Sequence, residues 1–423
     1  MNRRSFLSSL FYGVSSFGLS GSIISQSYAK PLAKVVILGG GWGGLSAAKT
    51  IKLLSPEVEV IVVEKENMFR SCPISNWVIG QMKSMEDITF KYDRLKNVYG
   101  IKFINEEVLE INIDKKSLIT KNYNINYDKL ILSPGVELDY SSIDNWNASF
   151  LNTFPAAWKA GKETELLADK IKNMSNGGVI SISIPLSPYR CPPGPYERIS
   201  LIASYIKKYK PASKLIVLDA NQKIVSKGKL FKKAWDQMYS DIIEYRSDSR
   251  VVEVNPKKGI LSTDFDDIIC DVANLIPPQK APKLLDNAGL IKKNESWASV
   301  NPYDFKSTLA QDVFIIGDST SQISVGKVPK SGYIANSMGK VCGLAVICEI
   351  FDKVKLSPSM INTCYSLISS EEGISVSAVY SYNEDLQKIV SVDGASGLSP
   401  ESSSIIKDNA WDWAQSIWAD MLS

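Results

Sequence analysis

A glycine-rich turn between a predicted strand and a predicted helix constrains the fold of this chain more than any other feature. The apolar run Lys34–Leu38 is typical of a buried strand, and helical character begins at Leu45. Between them, Gly39, Gly41 and Gly44 fit the pattern GxGxxG. The first glycine permits a tight turn, the second lets the backbone approach a pyrophosphate, and the third lets helix and strand pack closely. The segment predicts the start of a dinucleotide-binding domain; a glycine-rich turn with no ligand is the alternative.

Two later strands extend this prediction. One, at 58–63, ends at Glu64, which is placed to accept hydrogen bonds from a ribose. The other, at 313–316, ends in Gly317 and Asp318. This ending resembles the second FAD contact of flavoproteins with two dinucleotide-binding domains, in which the aspartate binds the ribityl chain. By this resemblance the dinucleotide is FAD.

A long helix is predicted to open in the segment 328–333 and to run through Ile350. The opening segment contains Lys330, Gly332 and Tyr333. We expect the positive N-terminal end of this helix to lie against the flavin pyrimidine, where it would stabilise the anionic reduced ring. A routine helix that starts after a proline, with a lysine in its first turn, is the alternative.

A second strand–helix–strand unit is predicted at 178–184, 201–209 and 214–219, which is the outline of an NAD-binding domain. Its phosphate-binding turn is missing, because the segment 185–195 contains five prolines and one glycine. Proline has no N–H and restricts the residue before it, so this loop is not expected to hold a diphosphate. We therefore expect that NADH does not reduce the flavin and that the loop presents Cys191 on a stiff support.

The chain contains no histidine. This excludes Ser-His-Asp and Cys-His catalysis, imidazole metal sites and the CxxCH attachment of c-type haem. The 48 Lys and Arg against 45 Asp and Glu leave a net charge of +3, which does not suggest the concentrated basic face that nucleic acid requires. Past residue 30 there is no uninterrupted apolar run of about 18 residues, so no membrane-spanning helix is expected.

The N-terminus is typical of an export signal. Arg3 and Arg4 precede a mildly apolar stretch rich in Ser and Gly, and the segment 27–29 offers small residues for cleavage. We interpret residues 1–29 as a twin-arginine signal peptide and expect the chain in the periplasm. An arginine pair before an apolar anchor helix is the alternative.

The cysteines allow 15 full pairings. They are Cys72, Cys191, Cys270, Cys342, Cys348 and Cys364. Cys342 and Cys348 lie six residues apart on the predicted helix, about 240° around its axis, and should not form a disulfide. We interpret them and Cys270 as small buried hydrophobic residues. Export makes a disulfide plausible for any close pair, but the spacing does not show that Cys191 and Cys364 meet.

Several motifs together carry a family resemblance. They are GGGWGG at 39–44, RSCPISN at 70–76, YRCPPGPYER at 189–198, NLIPPQ at 274–279, the segment 329–340 and NTCYS at 362–366. This combination resembles the flavoprotein subunit of flavocytochrome c sulfide dehydrogenase, and it spans essentially the whole exported chain. The family is related to sulfide:quinone oxidoreductases and, in fold, to disulfide reductases such as glutathione reductase.

The resemblance implies a chemistry for the cysteines. Cys191 and Cys364 would form a redox-active disulfide beside the flavin, and Cys72 would carry FAD through a thioether. Hydrosulfide would attack one sulfur of the disulfide. Glu197, six residues beyond Cys191, is the candidate proton acceptor; a solvated carboxylate in the first turn of a helix is the alternative. No metal site is expected.

The electrons are expected to leave through a partner. A chain without histidine cannot ligate haem in the usual way, so the resemblance points to a separate c-type cytochrome subunit. Two rival functions are a sulfide:quinone oxidoreductase and a non-catalytic, flavin-bearing assembly protein. A membrane-surface helix would carry Lys and Arg on its polar face; the tryptophan-rich segment 407–422 has only Lys407. This favours packing around the disulfide, or subunit contact, over quinone access from a bilayer.

The expected fold class is α/β, with two Rossmann-like dinucleotide-binding domains and a small C-terminal α+β interface domain. We divide the chain into the signal peptide 1–29, an FAD-binding domain made of 31–144 and 285–353, a second Rossmann-like domain without an NAD fingerprint at 145–284, and a C-terminal domain at 354–423. The last of these would bring Cys364 over the flavin.

Overall fold

The computed structural model describes residues 32–423, so the predicted signal peptide lies outside the described residues. The strands are β1 (Lys34–Leu38), β2 (Glu59–Val63), β3 (Phe69–Arg70), β4 (Thr89–Phe90), β5 (Lys102–Ile104), β6 (Val108–Asn112), β7 (Ser117–Thr120), β8 (Asn124–Asn126), β9 (Lys129–Leu132), β10 (Glu137–Leu138), β11 (Val179–Ile184), β12 (Lys214–Asp219), β13 (Ile243–Arg246), β14 (Val251–Asn255), β15 (Ile260–Thr263), β16 (Asp267–Ile269), β17 (Val272–Leu275), β18 (Gln279–Lys280), β19 (Val313–Ile315), β20 (Ser359–Leu367), β21 (Gly373–Asn383) and β22 (Lys388–Leu398). The helices are α1 (Trp42–Leu54), α2 (Ser75–Ile79), α3 (Asp93–Tyr99), α4 (Lys162–Asn173), α5 (Gly194–Tyr209), α6 (Gly228–Met238), α7 (Lys283–Asn287), α8 (Gln322–Val325), α9 (Gly332–Ile350) and α10 (Ser404–Leu422). Short 3₁₀ turns occupy Glu86–Ile88, Ala148–Asn152 and Gly317–Ser319.

The first sheet has five strands in the order β19-β9-β1-β2-β5, and all of its pairs are parallel. After Lys34, strand β1 is an unbroken apolar run, as expected where both faces of a sheet are covered, and Val35, Val36 and Ile37 are fully buried. The register places Leu38 beside both Val63 and Leu132, so these strands end at one edge. The strands predicted at the glycine turn, at 58–63 and at 313–316 are therefore confirmed, each within one residue.

Helix α9 crosses this sheet against α1 through small residues. A Cβ on Gly339 would lie 2.3 Å from the carbonyl oxygen of Gly43, and one on Gly343 would lie 3.1 Å from that of Ala47. Helix α9 is long and apolar enough to cross a membrane, but 67% of its most apolar 18-residue stretch is buried inside the fold. Its apolar sequence is that of a core helix, since it is covered on most of its circumference by protein.

The second sheet has four parallel strands in the order β13-β12-β11-β17. Helix α5 connects β11 to β12, as in a Rossmann unit. This helix begins at Gly194, seven residues before the predicted start at Leu201. The proline-rich segment that was expected to be a loop extends into this helix. Pro195 lies in the first turn, where a missing N–H costs no hydrogen bond.

The C-terminal residues form an antiparallel sheet, β20-β21-β22, on which α10 packs. Trp418 of α10 is buried, and Trp413 stacks on Trp42 with ring centroids 6.1 Å apart. The predicted packing of the tryptophan-rich segment within the chain is thus observed. Two parallel Rossmann-like sheets and this smaller α+β unit confirm the predicted fold class, whereas the domain boundaries stay predictions.

Candidate active site

A cavity of about 1420 Å³ opens at the edge where the strands of the first sheet end. Eight of the predicted site residues line it: Gly39, Gly41, Glu64, Cys72, Cys191, Gly317, Asp318 and Gly332. The other five do not: Gly44, Lys330, Tyr333, Glu197 and Cys364. The crevice at the carboxyl ends of parallel strands is where this kind of sheet binds its ligands.

The glycine turn has the geometry that its spacing predicts. Gly39 adopts φ +102°, and a Cβ there would lie 2.3 Å from the carbonyl oxygen of Ser133. A Cβ on Gly44 would lie 1.9 Å from the carbonyl oxygen of Gly39, so helix and turn are in direct backbone contact. Gly41 has no atom within 4 Å of such a Cβ and faces the cavity. The open space at Gly41, at the N-terminus of α1, fits a pyrophosphate.

Glu64 lies at the end of β2, where a ribose-binding acid belongs. Its Oε2 accepts a hydrogen bond from the Gly40 N–H at 2.7 Å, and its Oε1 accepts one from the Glu66 N–H at 2.9 Å. The carboxylate thus fixes the glycine turn while it lines the cavity.

Asp318 offers a test of whether FAD fits this cavity. Its Oδ1 is buried and has no hydrogen-bond partner among the described residues. Burial raises the pKa of this carboxyl group, against the charges of Arg190 and Lys330. A buried oxygen without a partner is costly. A flavin ribityl hydroxyl would supply the missing partner, so Asp318 and the open space at Gly41 both fit FAD.

Lys330 and Tyr333 have other contacts than the prediction gave them. The Lys330 Nζ donates to the carbonyl oxygens of Asp318 and Thr320 at 2.7 and 2.6 Å and lies 3.7 Å from the ring centroid of Trp297. Burial lowers its pKa to about 7, against the charge of Asp318. Tyr333 packs edge-on against a tryptophan of α10. The Lys330 side chain therefore turns back into the protein and Tyr333 packs on the C-terminal helix, so neither of them lines the cavity.

The two cysteines implied by the resemblance lie on different elements. Cys191 precedes α5 with φ +57°, and its N–H donates to the Lys330 carbonyl oxygen at 2.7 Å. Cys364 lies on β20, and its sulfur is 3.4 Å from the amide nitrogen of Asn362. All six cysteines are free thiols in this structure, so the implied disulfide is not formed in it.

These two thiols, Glu197 and Lys227 form one electrostatic cluster, the thiol cluster. Burial raises the pKa of Cys191 to about 12, and the charges of Cys364 and Glu197 raise it further while that of Lys227 opposes them. Burial also raises the pKa of Cys364, chiefly against the ammonium of Lys227 and the amide of Asn362. The protein thus brings together two thiols, a carboxyl group and an ammonium group from separate elements.

Glu197 is not a solvated carboxylate: only 9% of it is exposed. Its oxygens accept hydrogen bonds from the Asn76 amide at 2.9 Å, the Trp77 indole at 3.3 Å and the Leu367 N–H at 3.0 Å. Burial raises its pKa, and these donors oppose the rise. Raised proton affinity inside a closed site suits a proton acceptor.

Sequence reasoning missed two cations beside this cluster. Arg198 is 1% exposed and lines the cavity; it donates to the side chains of Asn76 and Asn274 and to two backbone carbonyls. Lys227 comes from the loop before α6. No local pattern marks either residue, since their acceptors lie far away in the chain. Arg198 ends the YRCPPGPYER motif at 189–198, but the motif gave it no role.

Asp219, the acid that ends β12, uses both of its carboxylate oxygens in hydrogen bonds within the protein. Asp219 accepts hydrogen bonds from the hydroxyls of Tyr196 and Tyr245, each at 2.8 Å, and from the backbone and side chain of Asn221 at 2.9 and 2.7 Å. In an NAD-binding unit this position binds a ribose. Here its oxygens hold the second sheet and its flanking helix together.

The three remaining cysteines are buried, as predicted. Cys270, Cys342 and Cys348 are 8%, 0% and 6% exposed. They pack as small hydrophobic groups. Among residues 32–423 there is no cluster of three or more metal-binding side chains.

Three family models match successive parts of the chain. They are the pyridine nucleotide-disulphide oxidoreductase at residues 33–154, the central part of the sulfide dehydrogenase [flavocytochrome c] flavoprotein chain at residues 164–277, and the flavocytochrome c sulphide dehydrogenase flavin-binding region at residues 356–422. The last two matches fall on the second sheet and on the C-terminal unit that carries Cys364.

Individual relatives agree with these matches. The mitochondrial sulfide:quinone oxidoreductases of Dictyostelium discoideum and Mus musculus are 22% and 24% identical to this chain, over 73% of it and 70% and 71% of their own lengths. The sulfide:quinone oxidoreductase structure from Aquifex aeolicus superposes with a TM-score of 0.72 at 16% identity, covering 92% of this chain and 91% of that one.

The cavity, the thiol cluster and these matches agree on one assignment. The chain carries a region of the pyridine nucleotide-disulphide oxidoreductase type, followed by regions that match the central and flavin-binding parts of a flavocytochrome c sulfide dehydrogenase flavoprotein chain, which is consistent with the FAD-dependent disulfide oxidoreductases.

Proposed function

We propose that this chain is the flavoprotein subunit of a sulfide dehydrogenase, which oxidises sulfide to zero-valent sulfur or polysulfide and passes the electrons to a c-type cytochrome subunit. The observation that carries the proposal is the thiol cluster beside the FAD cavity, in which Cys191 itself lines that cavity. Sulfur exchange requires a cysteine pair whose disulfide a thiolate can attack, and a neighbouring carboxyl group can take up the proton that is released.

The reaction begins from the oxidised, disulfide form of the pair. Hydrosulfide attacks one sulfur, the S–S bond breaks, and the products are a cysteine persulfide and a cysteine thiolate. The persulfide then loses its proton to Glu197. The deprotonated persulfide and the cysteine thiolate then give up two electrons and become joined by a new sulfur-sulfur bond. The sulfur that came from hydrosulfide now lies between the two cysteine sulfurs. FAD, when bound, supplies the two-electron acceptor for this step.

Glu197 acts as a base without a direct hydrogen bond to either thiol in this structure. Its three donors hold the carboxylate in place, so the proton reaches it through a small movement or a bridging solvent molecule. Asn76 links this carboxylate to Arg198, since its amide donates to Glu197 and its carbonyl oxygen accepts from the guanidinium at 3.0 Å. The base is thereby kept beside the cation.

The acceptor is the first point to test. We expect anaerobic sulfide to reduce a soluble cytochrome c in the presence of the purified protein, at a rate that decylubiquinone does not match. The physical reason is that α10 packs into the fold and has few cations at its surface. It therefore lacks the features by which a helix binds a membrane surface, from which a quinone would enter. Reduction of the quinone alone would replace the proposal by its alternative, a sulfide:quinone oxidoreductase, which the mitochondrial relatives favour.

A third function is a flavin-bearing protein without turnover. Rapid bleaching of the flavin absorbance by added sulfide, before any acceptor is supplied, would eliminate it. No bleaching would eliminate both oxidoreductase proposals.

We also propose that Cys72 holds FAD through a thioether. Cys72 lines the cavity between β3 and α2, and its carbonyl oxygen accepts hydrogen bonds from the N–H and hydroxyl of Ser75 at 3.1 and 2.6 Å. These bonds fix the backbone that presents the sulfur to the cavity. A covalent link would explain why a cysteine faces a cofactor site at this point.

We expect acid precipitation to leave the yellow colour in the protein pellet, and Cys72→Ala to release it into the supernatant, because alanine cannot form the bond. The flavin absorbance of both fractions measures this. Cys348→Ala is the matched control, since it removes a buried thiol from α9. Free flavin in the supernatant of the parental protein would refute the thioether.

For the location, we propose export to the periplasm by the twin-arginine route, on the basis of Arg3 and Arg4 in the N-terminal sequence. Twin-arginine export carries folded proteins, which fits a chain that takes up FAD before export. A c-type cytochrome partner is expected in that compartment.

A further inference from the structure

Lys227 occupies an unusual place for a lysine. It precedes α6 in the left-handed backbone region, with φ +55°, and only 5% of it is exposed. Its Nζ donates to the carbonyl oxygen of Cys364 at 2.8 Å and to the hydroxyl of Ser366 at 2.8 Å. Both acceptors are uncharged.

This ammonium has no carboxylate partner within ion-pair distance among residues 32–423. A buried charge without a partner is costly, and such groups concentrate at functional sites. Burial lowers the pKa of Lys227 to about 8, while Cys364, Glu197 and Cys191 raise it, in that order. The group that favours its charge most is therefore Cys364 when it is ionised to the thiolate.

The two thiols differ in what surrounds their sulfur atoms. The Asn362 amide donates to the Cys364 sulfur at 3.4 Å, and the Ser331 hydroxyl donates to the Asn362 oxygen at 2.7 Å, which keeps the amide N–H₂ turned toward the sulfur. The Cys191 sulfur accepts no hydrogen bond from the described part of the chain, and Cys191 lines the cavity whereas Cys364 does not. A negative charge is thus better stabilised on Cys364, and a small substrate has better access to Cys191.

We propose that Lys227 is a positioning residue that stabilises Cys364 as the thiolate, so that hydrosulfide attacks Cys191 and Cys364 is the sulfur that leaves. In this step the hydrosulfide sulfur bonds to the Cys191 sulfur, the Cys191–Cys364 bond breaks, and its electron pair stays on Cys364. The persulfide therefore forms on the cysteine that lines the cavity. This order of attack rests on the proposed sulfide oxidation, but the thiolate assignment does not.

Other charged groups also face the two sulfurs and are part of the expectation. Tyr380 of β21 has its pKa raised by burial and then by Cys364, and Arg190 lowers the pKa of Cys191. Glu197 disfavours a thiolate on either cysteine. Of these groups, Lys227 is the one that favours a charge on Cys364 most strongly.

The test measures the two thiols in the holoprotein without sulfide. The protein is reduced with dithiothreitol, desalted anaerobically and treated with iodoacetamide at a series of pH values, and mass spectrometry gives the alkylation rate of each cysteine. We expect the Cys364 profile to rise at lower pH than the Cys191 profile. In Lys227→Met the loss of the cation raises the thiol pKa, so the Cys364 profile shifts upward by about one to two pH units.

The expected change in the Cys364 alkylation rate can be stated as a number and compared with two control variants. Below about pH 8, where Lys227 keeps its proton, Cys364 in Lys227→Met should react at least about tenfold more slowly, because the rate follows the thiolate fraction. Lys227→Arg should restore most of the rate. Lys229→Met, which removes an exposed lysine of the same helix, should change neither cysteine.

Two results would overturn the assignment. One is a Cys364 profile that is the same in Lys227→Met as in the parental protein. The other, which holds even if that variant does not fold, is a parental protein in which Cys191 reacts at the lower pH. Neither result depends on sulfide turnover: sulfide-driven bleaching with an unchanged Cys364 profile removes the role of Lys227 alone, whereas an absent bleaching reaction removes the proposed function.

Discussion

Cys191→Ser is expected to retain FAD and to lose sulfide-driven bleaching of the flavin by at least about a thousandfold. A serine hydroxyl cannot form a disulfide with Cys364, so hydrosulfide has no S–S bond to attack. The substitution changes the volume little at a residue that lines the cavity. Anaerobic stopped-flow measurement of the flavin absorbance after mixing with sulfide gives the rate.

The matched control for this prediction is Cys348→Ser. Cys348 is a buried cysteine of α9 outside the thiol cluster, so it should bleach at close to the parental rate even if its stability falls. Both proteins should bind flavin in the same ratio to chain. Bleaching of Cys191→Ser at the parental rate would remove Cys191 from the reaction and with it the observation on which the proposed function depends.

The second large effect is expected at the glycine turn. Gly44→Ala places a Cβ 1.9 Å from the Gly39 carbonyl oxygen. This oxygen belongs to the backbone of the turn, so the overlap cannot be relieved by a change of side-chain rotamer. We expect a loss of about 3 kcal/mol or more in the free energy of unfolding, at the upper end of overpacking effects. The flavin would be lost together with the fold, because the distorted turn is the one that faces the pyrophosphate. Denaturant unfolding and the flavin content of the purified protein measure the two effects.

Gly41→Ala separates binding from folding. Its Cβ would have no protein atom within 4 Å and would project into the cavity. We therefore expect near-parental unfolding with a clear loss of FAD. Gly397→Ala, on the C-terminal sheet and equally free of neighbours, should change neither property. Full FAD content in Gly41→Ala would place the pyrophosphate elsewhere.

Much of the cofactor half of the site could be predicted locally. The glycine turn, the strands at its sides, Glu64 and Asp318 all lie where a short apolar strand stops and polar residues follow. Such signals need only neighbours in the chain, because a parallel sheet brings the ends of its strands to one edge. Lys330 and Tyr333 were predicted from the same kind of signal and do not line the cavity. Sequence places a residue near a helix end but does not decide where its side chain turns.

The surroundings of the thiol cluster could not be predicted from local sequence. The sequence supplied the two cysteines and the carboxyl group of Glu197, but it could not show that this carboxyl is buried. Its partner Asn76 is 121 residues away along the chain. Whether a first-turn glutamate is solvated or enclosed depends on what packs over it, and here that is α2 together with β20.

The sequence by itself determined the parallel sheets, the glycine turn and the presence of the cysteines, because these follow from apolar periodicity, glycine spacing and the residue types present. Only the tertiary structure decided which charged group lies beside Cys364. Lys227 reaches Cys364 across 137 residues, and an electrostatic contact of that kind depends on distance in space and on the exclusion of water, neither of which is written in a local pattern.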